Sequence, residues 1–321
     1  VAHPVLAVQR DSEGRLRRVG EAQHAPGEVR ESLIHLHIGR LVDPQRRKAL
    51  AEALERIYGD VRVAVSDWKE MRARVVAAAD AYKSDPPPLP VDEVAEAIHF
   101  LEWLAADNFT FLGLREYRFI EAAADAAAPG ARASLDLIGG PGHGILRDPS
   151  VKVLRRGREL VTVTPEVLEF LREPHALIIS KANVRSTVHR RAHMDYVGCK
   201  LFSKTGALQG ELRIVGLFTA TAYHRSTQTI PYIRHKVAQV REAAGLDPAS
   251  HSGKVFANVL ESYPRDDLFQ IDAATLGDFA RQIAHLAERP RLRVLARADK
   301  FDRFVSVLCF IPRDHYDTRA R

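Results

Sequence analysis

The sequence predicts a multidomain protein that mixes α-helices with antiparallel β-hairpins. Three observations carry this reading. The chain is 321 residues long, which at roughly 100–200 residues per domain suggests two or three domains. Apolar residues make up 46% and charged residues 27%, a balance that supports packed cores and excludes global disorder. Apolar positions recur at helical spacing in some segments and alternate with period two in others, with short turns between.

At the N-terminus, Val5–Val8 and Leu16–Val19 are short strand candidates around the turn cluster Asp11-Ser12-Glu13-Gly14. Ser32–Leu41 predicts a further strand, with Leu33, His35, His37 and Gly39 on one face. Asp43-Pro44 is an N-cap followed by a first helical residue, and Leu50, Ala53, Leu54 and Ile57 continue that helix until Gly59. Val61, Val63 and Val65 alternate as a strand, and Ser66 or Asp67 opens the next helix through Met71, Val75 and Ala78. Ser84–Pro90 carries four prolines, which forbid a helix, and marks a domain boundary.

Asp92 then caps a helix whose stripe is Val94, Ala95, Ile98, Leu101, Leu104 and Ala105. Phe109–Ile120 is a strand rich in Phe, Thr and Tyr. Residues 121–132 form a surface excursion, 159–164 a strand, and Thr164-Pro165-Glu166 the start of a short helix. Ala176–Lys181, Met194–Phe202 and Leu208–Ala220 are strands, the last two joined by Ser203–Ala207 as an antiparallel hairpin. In the last of them Gln209, Glu211 and Arg213 oppose Leu212, Ile214 and Phe218, which predicts one buried and one wetter face. Helices follow over Pro231–Ala244, Ser252–Tyr263 and Asp272–Glu288, then a hairpin of Arg291–Arg297 with Arg303–Ile311.

Several function classes are excluded or disfavoured. No apolar run approaches the ~20 residues of a membrane helix, and no signal peptide pattern opens the chain. Two cysteines, Cys199 and Cys309, cannot build a disulfide framework, so a reducing cytoplasm is expected. The net charge of +6 is diluted by 41 acidic residues. Arg289, Arg291, Arg293, Arg297, Lys300 and Arg303 cluster at the last hairpin, but only Phe301 and Phe304 stand near to stack on RNA bases. A solvated or inter-subunit face is preferred there, and no nucleic-acid partner is expected.

The candidate catalytic and metal constellations are weak. Gly139-Gly140-Pro141-Gly142-His143-Gly144 lacks the spacing of a dinucleotide loop, and Ile145–Pro149 does not start a helix, so a plain turn is expected. His189, His193 and Cys199 lie in loop and strand without a completing ligand, so no metal is assigned. His35 and His37 take a structural or interface role. No Gly-x-Ser-x-Gly is present, Asp267 is expected to cap a turn or short helix, and Asp314 and Asp317 have no assigned role. From these residues alone no catalytic, cofactor-binding or metal residue is named.

Longer segments go further. Leu101–Tyr117, His193-Met194-Asp195-Tyr196-Val197-Gly198 with Gly216-Leu217-Phe218-Thr219, and Tyr223-His224-Arg225-Ser226 leading to Ile230-Pro231 resemble the large bacterial NAD-specific glutamate dehydrogenases. So do Glu261–Gln270 and Gln282–Leu286 before Glu288-Arg289-Pro290. The matches run in order over most of residues 90–315. The resemblance implies an α+β fold of ACT-like (ferredoxin-like βαββαβ) sandwiches with antiparallel sheets plus connecting helices. It implies a partial first ACT-like domain over 1–83, a linker over 84–90, a second such domain over 91–248, connecting helices over 249–288 and the start of a third domain over 289–321.

It also implies a parent enzyme that oxidises L-glutamate with NAD, in which this segment serves regulation and homo-oligomer assembly and is itself inactive. The family's catalytic and nucleotide-binding segment has no counterpart here, so no catalytic residue and no NAD site is carried over. ACT effectors commonly bind where the first strand meets the first helix, which corresponds to Arg40 and Asp43. An amino-acid effector is expected there, against ordinary capping by Asp43. The alternative reading is a stand-alone amino-acid-sensing ACT-type module. The first residues, Val1-Ala2-His3-Pro4, and the stop soon after a strand pattern are expected for an excerpt of a longer chain.

Overall fold

The computed structural model describes residues 2–20, 29–120, 134–137, 142–151, 175–299 and 304–316. It divides into two compact units, residues 1–56 and 57–321. Mixed helix and antiparallel sheet run through both, as expected. The expectations for 121–132 and 159–166, and the turn at 300–302, lie outside the described residues.

In the first unit, β1 (Val5–Arg10) is the centre of a three-stranded antiparallel sheet, flanked by β2 (Leu16–Gly20) and β3 (Val29–Ser32). Val8 faces Val19 on one side and Val29 on the other, and is 4% exposed. The β1–β2 turn is built by Asp11, whose Oδ1 accepts from the amides of Glu13 (3.1 Å) and Arg15 (2.8 Å). The strand expected over Ser32–Leu41 ends at Ser32. Only the Leu33 amide, bonded to Pro4, and a bridge between Ala2 and His35 continue the pairing. A strand extends only as far as its neighbour offers backbone groups, and β1 begins at Val5.

α1 (Pro44–Ser84) is a single helix of 41 residues. It corrects the strand expected at Val61, Val63 and Val65 and the helix start expected at Ser66 or Asp67. One interior glycine, Gly59, costs a helix only about 1 kcal/mol. The helical spacing of Ala64, Asp67, Met71, Val75, Ala78, Ala79 and Tyr82, all buried, outweighs that and the short valine alternation. The proline run of 84–90 is therefore a turn between two packed helices. α2 (Val91–Trp103) follows it, and both helices enter one core with Met71, Tyr82, Phe100 and Leu101. The division of units falls at 56/57, upstream of that turn.

The large sheet of the second unit contains β4 (Phe109–Ile120), β5 (Ser134–Leu137), β6 (His143–Gly144), β7 (Leu177–Arg185), β8 (His193–Phe202) and β9 (Leu208–Phe218). Its order is β5-β4-β9-β8-β7, with β6 paired to β4, and every pairing is antiparallel. Three hairpin-connected strands thus end beside an earlier one, a Greek-key order. Over 91–248 this differs from the βαββαβ alternation expected for a second ACT-like domain. The reason is local: only Ser186–Ala192 and Ser203–Ala207 separate β7, β8 and β9, too few residues for a crossover helix between them.

The sheet is covered on both faces. Leu177, Val197, Cys199, Leu212 and Ile214 join the helices in one core. Ile178, Met194, Tyr196, Val215 and Leu217 form another with Leu146 and Ala64 of α1. The wetter face expected on β9 is confined to Gln209, which is exposed; Glu211 is 2% and Arg213 4% exposed. They are retained inside because they satisfy each other. Arg213 Nε lies 3.1 Å from Glu211 Oε2, the Tyr196 hydroxyl donates to Glu211 Oε1, and the Arg213 guanidinium sits 4.2 Å over the Tyr117 ring.

Helices α3 (Ala220–His224), α4 (Ile233–Ala244), α5 (His251–Ser262), α6 (Arg265–Gln270) and α7 (Ala273–Glu288) follow β9, and β10 (Arg293–Ala298) pairs with β11 (Val305–Phe310). Ser250 and Asp272 cap α5 and α7 through the amides of Gly253 and Thr275. Phe100, 5.6 Å from Trp103 and 5.7 Å from both Tyr232 and Phe269, is the centre of an aromatic cluster joining α2 to α6. A Phe100→Ala variant is expected to lose about 3–5 kcal/mol of unfolding free energy, read as a lowered denaturant midpoint with native-like far-UV dichroism retained in buffer.

Candidate functional site

The segments that carry the family resemblance converge on α6. Pro264 stops α5 and opens α6, because proline lacks the amide a continuing helix needs but fits a helix entry. The next residues, Asp266 and Asp267, are neighbours in sequence whose carboxylates reach different elements. Asp266 Oδ1 accepts from Lys181 Nζ of β7 at 2.9 Å and from the Tyr223 hydroxyl of α3 at 2.6 Å. Asp267 accepts from Arg297 of β10 at 2.5 Å and from the Tyr263 hydroxyl at 2.9 Å. Leu268 is buried behind them, and Phe269 stacks on Phe218 of β9 at 4.7 Å.

The network continues into the sheet. Lys181 Nζ also lies 2.5 Å from Asp195 Oδ1, and Asp195 Oδ2 accepts from the Phe218 amide at 3.0 Å. Burial pushes the Asp195 carboxyl up to about 6; Lys181 works against that and the Asp266 charge adds to it. Burial also works to lower Lys181, but its two carboxylate partners outweigh this and hold it above its ordinary value. At the other end of α6, Lys236 of α4 donates to the Leu268 carbonyl at 2.6 Å, where a cation suits a helix C-terminus. Burial brings Lys236 down to about 8, opposed by Asp272 and Asp267 and assisted by Arg297. Glu261 at the end of α5 accepts from the Thr227 hydroxyl (2.6 Å) and amide, and Arg265 spans Glu261 and the Arg225 carbonyl. Chemically this is a set of closed ion pairs that ties sheet, helices and the last hairpin to one short helix.

The other predicted positions fall apart spatially or into structural roles. Asp43 Oδ1 accepts from the Gln45 amide at 2.9 Å, the capping role weighed against an effector site, and Arg40 is exposed. Asp267 sits in the first turn of α6, but its carboxylate goes to Arg297 and Tyr263. His189 lies in the β7–β8 loop, His193 at the start of β8, and Cys199 inside the core, where burial raises its thiol to about 12. Among the described residues no group of three His, Cys, Asp or Glu side chains could hold a metal. His35 and His37 lie ring to ring at 4.6 Å. Of the basic cluster, Arg293 bonds Gln282 and Arg297 bonds Asp267, while Lys300 and Arg303 lie outside the described residues.

Gly142 and Gly144, the described glycines of the run, do not fit a dinucleotide phosphate. The Gly144 amide donates to Asp67 Oδ2 at 2.7 Å, so a carboxylate already stands where an anion would bind. A Cβ on Gly144 would meet the Leu112 carbonyl oxygen at 2.1 Å, and φ is +59°. Glycine is required there for close packing on β4. Burial alone would raise the Asp67 carboxyl, but Arg147, the Gly144 amide and Ser66 hold it below its usual range. Sequence reasoning missed two ion pairs, Asp195 with Lys181 and Asp67 with Arg147. The available signal was charge set within apolar strands, as at Asp195, Glu211 and Arg213.

Comparison with known proteins adds three family matches. Residues 1–54 match the family model "Glutamate dehydrogenase, ACT1 domain", 230–289 "Glutamate dehydrogenase, helical motif 1", and 293–321 "Glutamate dehydrogenase, ACT2 domain". An NAD-specific glutamate dehydrogenase of Halomonas elongata is 37% identical over 100% of this chain and 20% of its own length. That of Pseudomonas aeruginosa is 35% identical over 99% and 19%, and that of Mycobacterium tuberculosis 27% over 99% and 18%. The chain spans about a fifth of the length of these curated relatives. The ACT2 match begins at 293, and no ACT match falls on the Greek-key sheet. No described helix is long and apolar enough to cross a membrane.

The Asp195 carboxyl has a folded-state value of about 6 against an ordinary 3.8. A raised value means that the folded state holds the proton more tightly. The contribution of this group to stability is therefore complete below about pH 4 and lost as pH rises through 6, on the order of 3 kcal/mol between the two ends. Denaturant midpoints measured across pH 4–7 are expected to show this decline in the native chain and a flatter profile in Asp195→Asn. An unchanged slope in the variant would assign the decline to other groups.

Proposed function

We propose, for a chain that belongs to the family of large NAD-specific glutamate dehydrogenases, that it is the N-terminal regulatory and assembly region of such an enzyme. The longer protein would convert L-glutamate, NAD and water to 2-oxoglutarate, ammonium and NADH in the cytoplasm, with NAD bound by segments other than this one. The observation that carries the reading is the order of the matches: ACT1, helical motif 1 and ACT2, in a chain that aligns over its length with about a fifth of each relative. The same alignments favour this over a separate amino-acid-sensing module, because the whole chain is shared with named dehydrogenases.

The geometry around α6 supports a coupling role within that region. β10 opens the ACT2 match and is tied through Arg297 to Asp267; Asp266, one residue away, is tied to the sheet. A displacement of the hairpin would reach the sheet through a helix of six residues. An effector carboxylate, in this reading, is received at the start of α1 beside Arg40, with Asp43 setting the selectivity for an amino group.

Two measurements test this. The purified chain, given L-glutamate and NAD, is expected to form no NADH above background, and measurable turnover would overturn the division of labour. Calorimetric titration with the common amino acids is expected to give heat for at least one, reduced in Arg40→Ala and altered in Asp43→Asn, which keeps a capping oxygen. Absence of heat and of any thermal shift would remove the effector site.

A further inference from the structure

Between the end of α4 and the start of α5 lies a cleft of about 370 Å³ that takes no part in the α6 network. All of its lining comes from residues 238–256, within the second unit. Its volume is at the small end of ligand sites, which run from roughly 300 to 1,000 Å³. Buried Phe256 of α5, Ala238 of α4 and exposed Leu246 give it an apolar lining. The charged side chains that line it are one cation and one anion, Arg241 and Glu242.

Successive residues leave a helix about 100° apart, so these two charges stand apart and do not join each other. Among the described residues neither side chain enters a hydrogen bond or an ion pair. Glu242 stands in the last turn of α4, where the final carbonyls make the negative end of the helix. A carboxylate is unfavourable there without a cation bound to it, and no described side chain supplies one. A small zwitterion answers each of these features. Its ammonium meets Glu242 and the last carbonyls of α4. Its carboxylate meets the planar guanidinium of Arg241, which can hold both oxygens, and its side chain lies on Phe256, Ala238 and Leu246. A plain anion would be repelled by Glu242, a plain cation by Arg241, and an uncharged molecule would leave both charges unused.

We propose that the cleft between α4 and α5 binds a free α-amino acid with an apolar side chain. The site is separate from the effector position at Arg40 and Asp43 and does not rest on it.

The test is calorimetric titration of the 321-residue chain with L-leucine and L-phenylalanine. Each is compared with its amide, which lacks the carboxylate, and with the corresponding acid that lacks the amino group. Saturable heat at one site is expected for at least one of the two amino acids, with binding at least about tenfold weaker for both of its analogues. Arg241→Ala and Glu242→Gln should each weaken the amino acid about tenfold, while Arg40→Ala binds like the native chain. Unchanged far-UV dichroism is the control for folding; if a variant unfolds, the analogues decide by themselves. Absence of heat with both amino acids overturns the site. So does binding that survives loss of the carboxylate or the ammonium, or binding indifferent to Arg241→Ala and Glu242→Gln. Loss in Arg40→Ala alone would overturn this cleft and uphold the effector position, and loss in the Arg241 and Glu242 variants alone would do the reverse.

Discussion

A sheet covered on both faces leaves the charged side chains at its centre, Asp195, Glu211 and Arg213, no route to water, so they must be paired inside the protein. That constraint governs the second unit. Asp195 and Lys181, on adjacent strands, meet at 2.5 Å, and Glu211 and Arg213 on one strand meet at 3.1 Å beneath Tyr117 and Tyr196. Removing either member of such a pair strands a charge in low dielectric, which costs more than the pair itself contributes. The pairs therefore fix which strands are neighbours and which helices cover them.

The same logic makes α6 more than a connection. A six-residue helix has little stability of its own. It is held because Asp266 completes Lys181, Asp267 completes Arg297, Lys236 satisfies its last carbonyls, and Phe269 fills the aromatic cluster beside Phe218. Each of these contacts belongs to a different element. The helix is short, and its contacts join the sheet, the helices and the last hairpin at one place.

Much of the architecture was legible from residue order. β4 occupies the range that its Phe, Thr and Tyr content indicates, and the three longer helices after β9, α4, α5 and α7, begin and end within two residues of their expected bounds. These are local signals: spacing, capping and turn chemistry act over a few residues. The valine alternation at 61–65 misled because it is only five residues long, and the packing of Met71, Val75 and Ala79 two turns later decided the conformation.

By itself the sequence determined the mixture of helices and antiparallel hairpins, the absence of a recognisable catalytic set, and the resemblance that the family matches extend. Tertiary structure alone decided that Glu211 and Arg213 lie inside, that Asp266 and Asp267 serve different partners, and that the Gly144 amide is spent on Asp67. The physical reason is range. A turn or cap is satisfied by residues beside it, whereas a buried charge is satisfied by one 80 positions away, as Asp67 is by Arg147, and only the folded chain brings the two together.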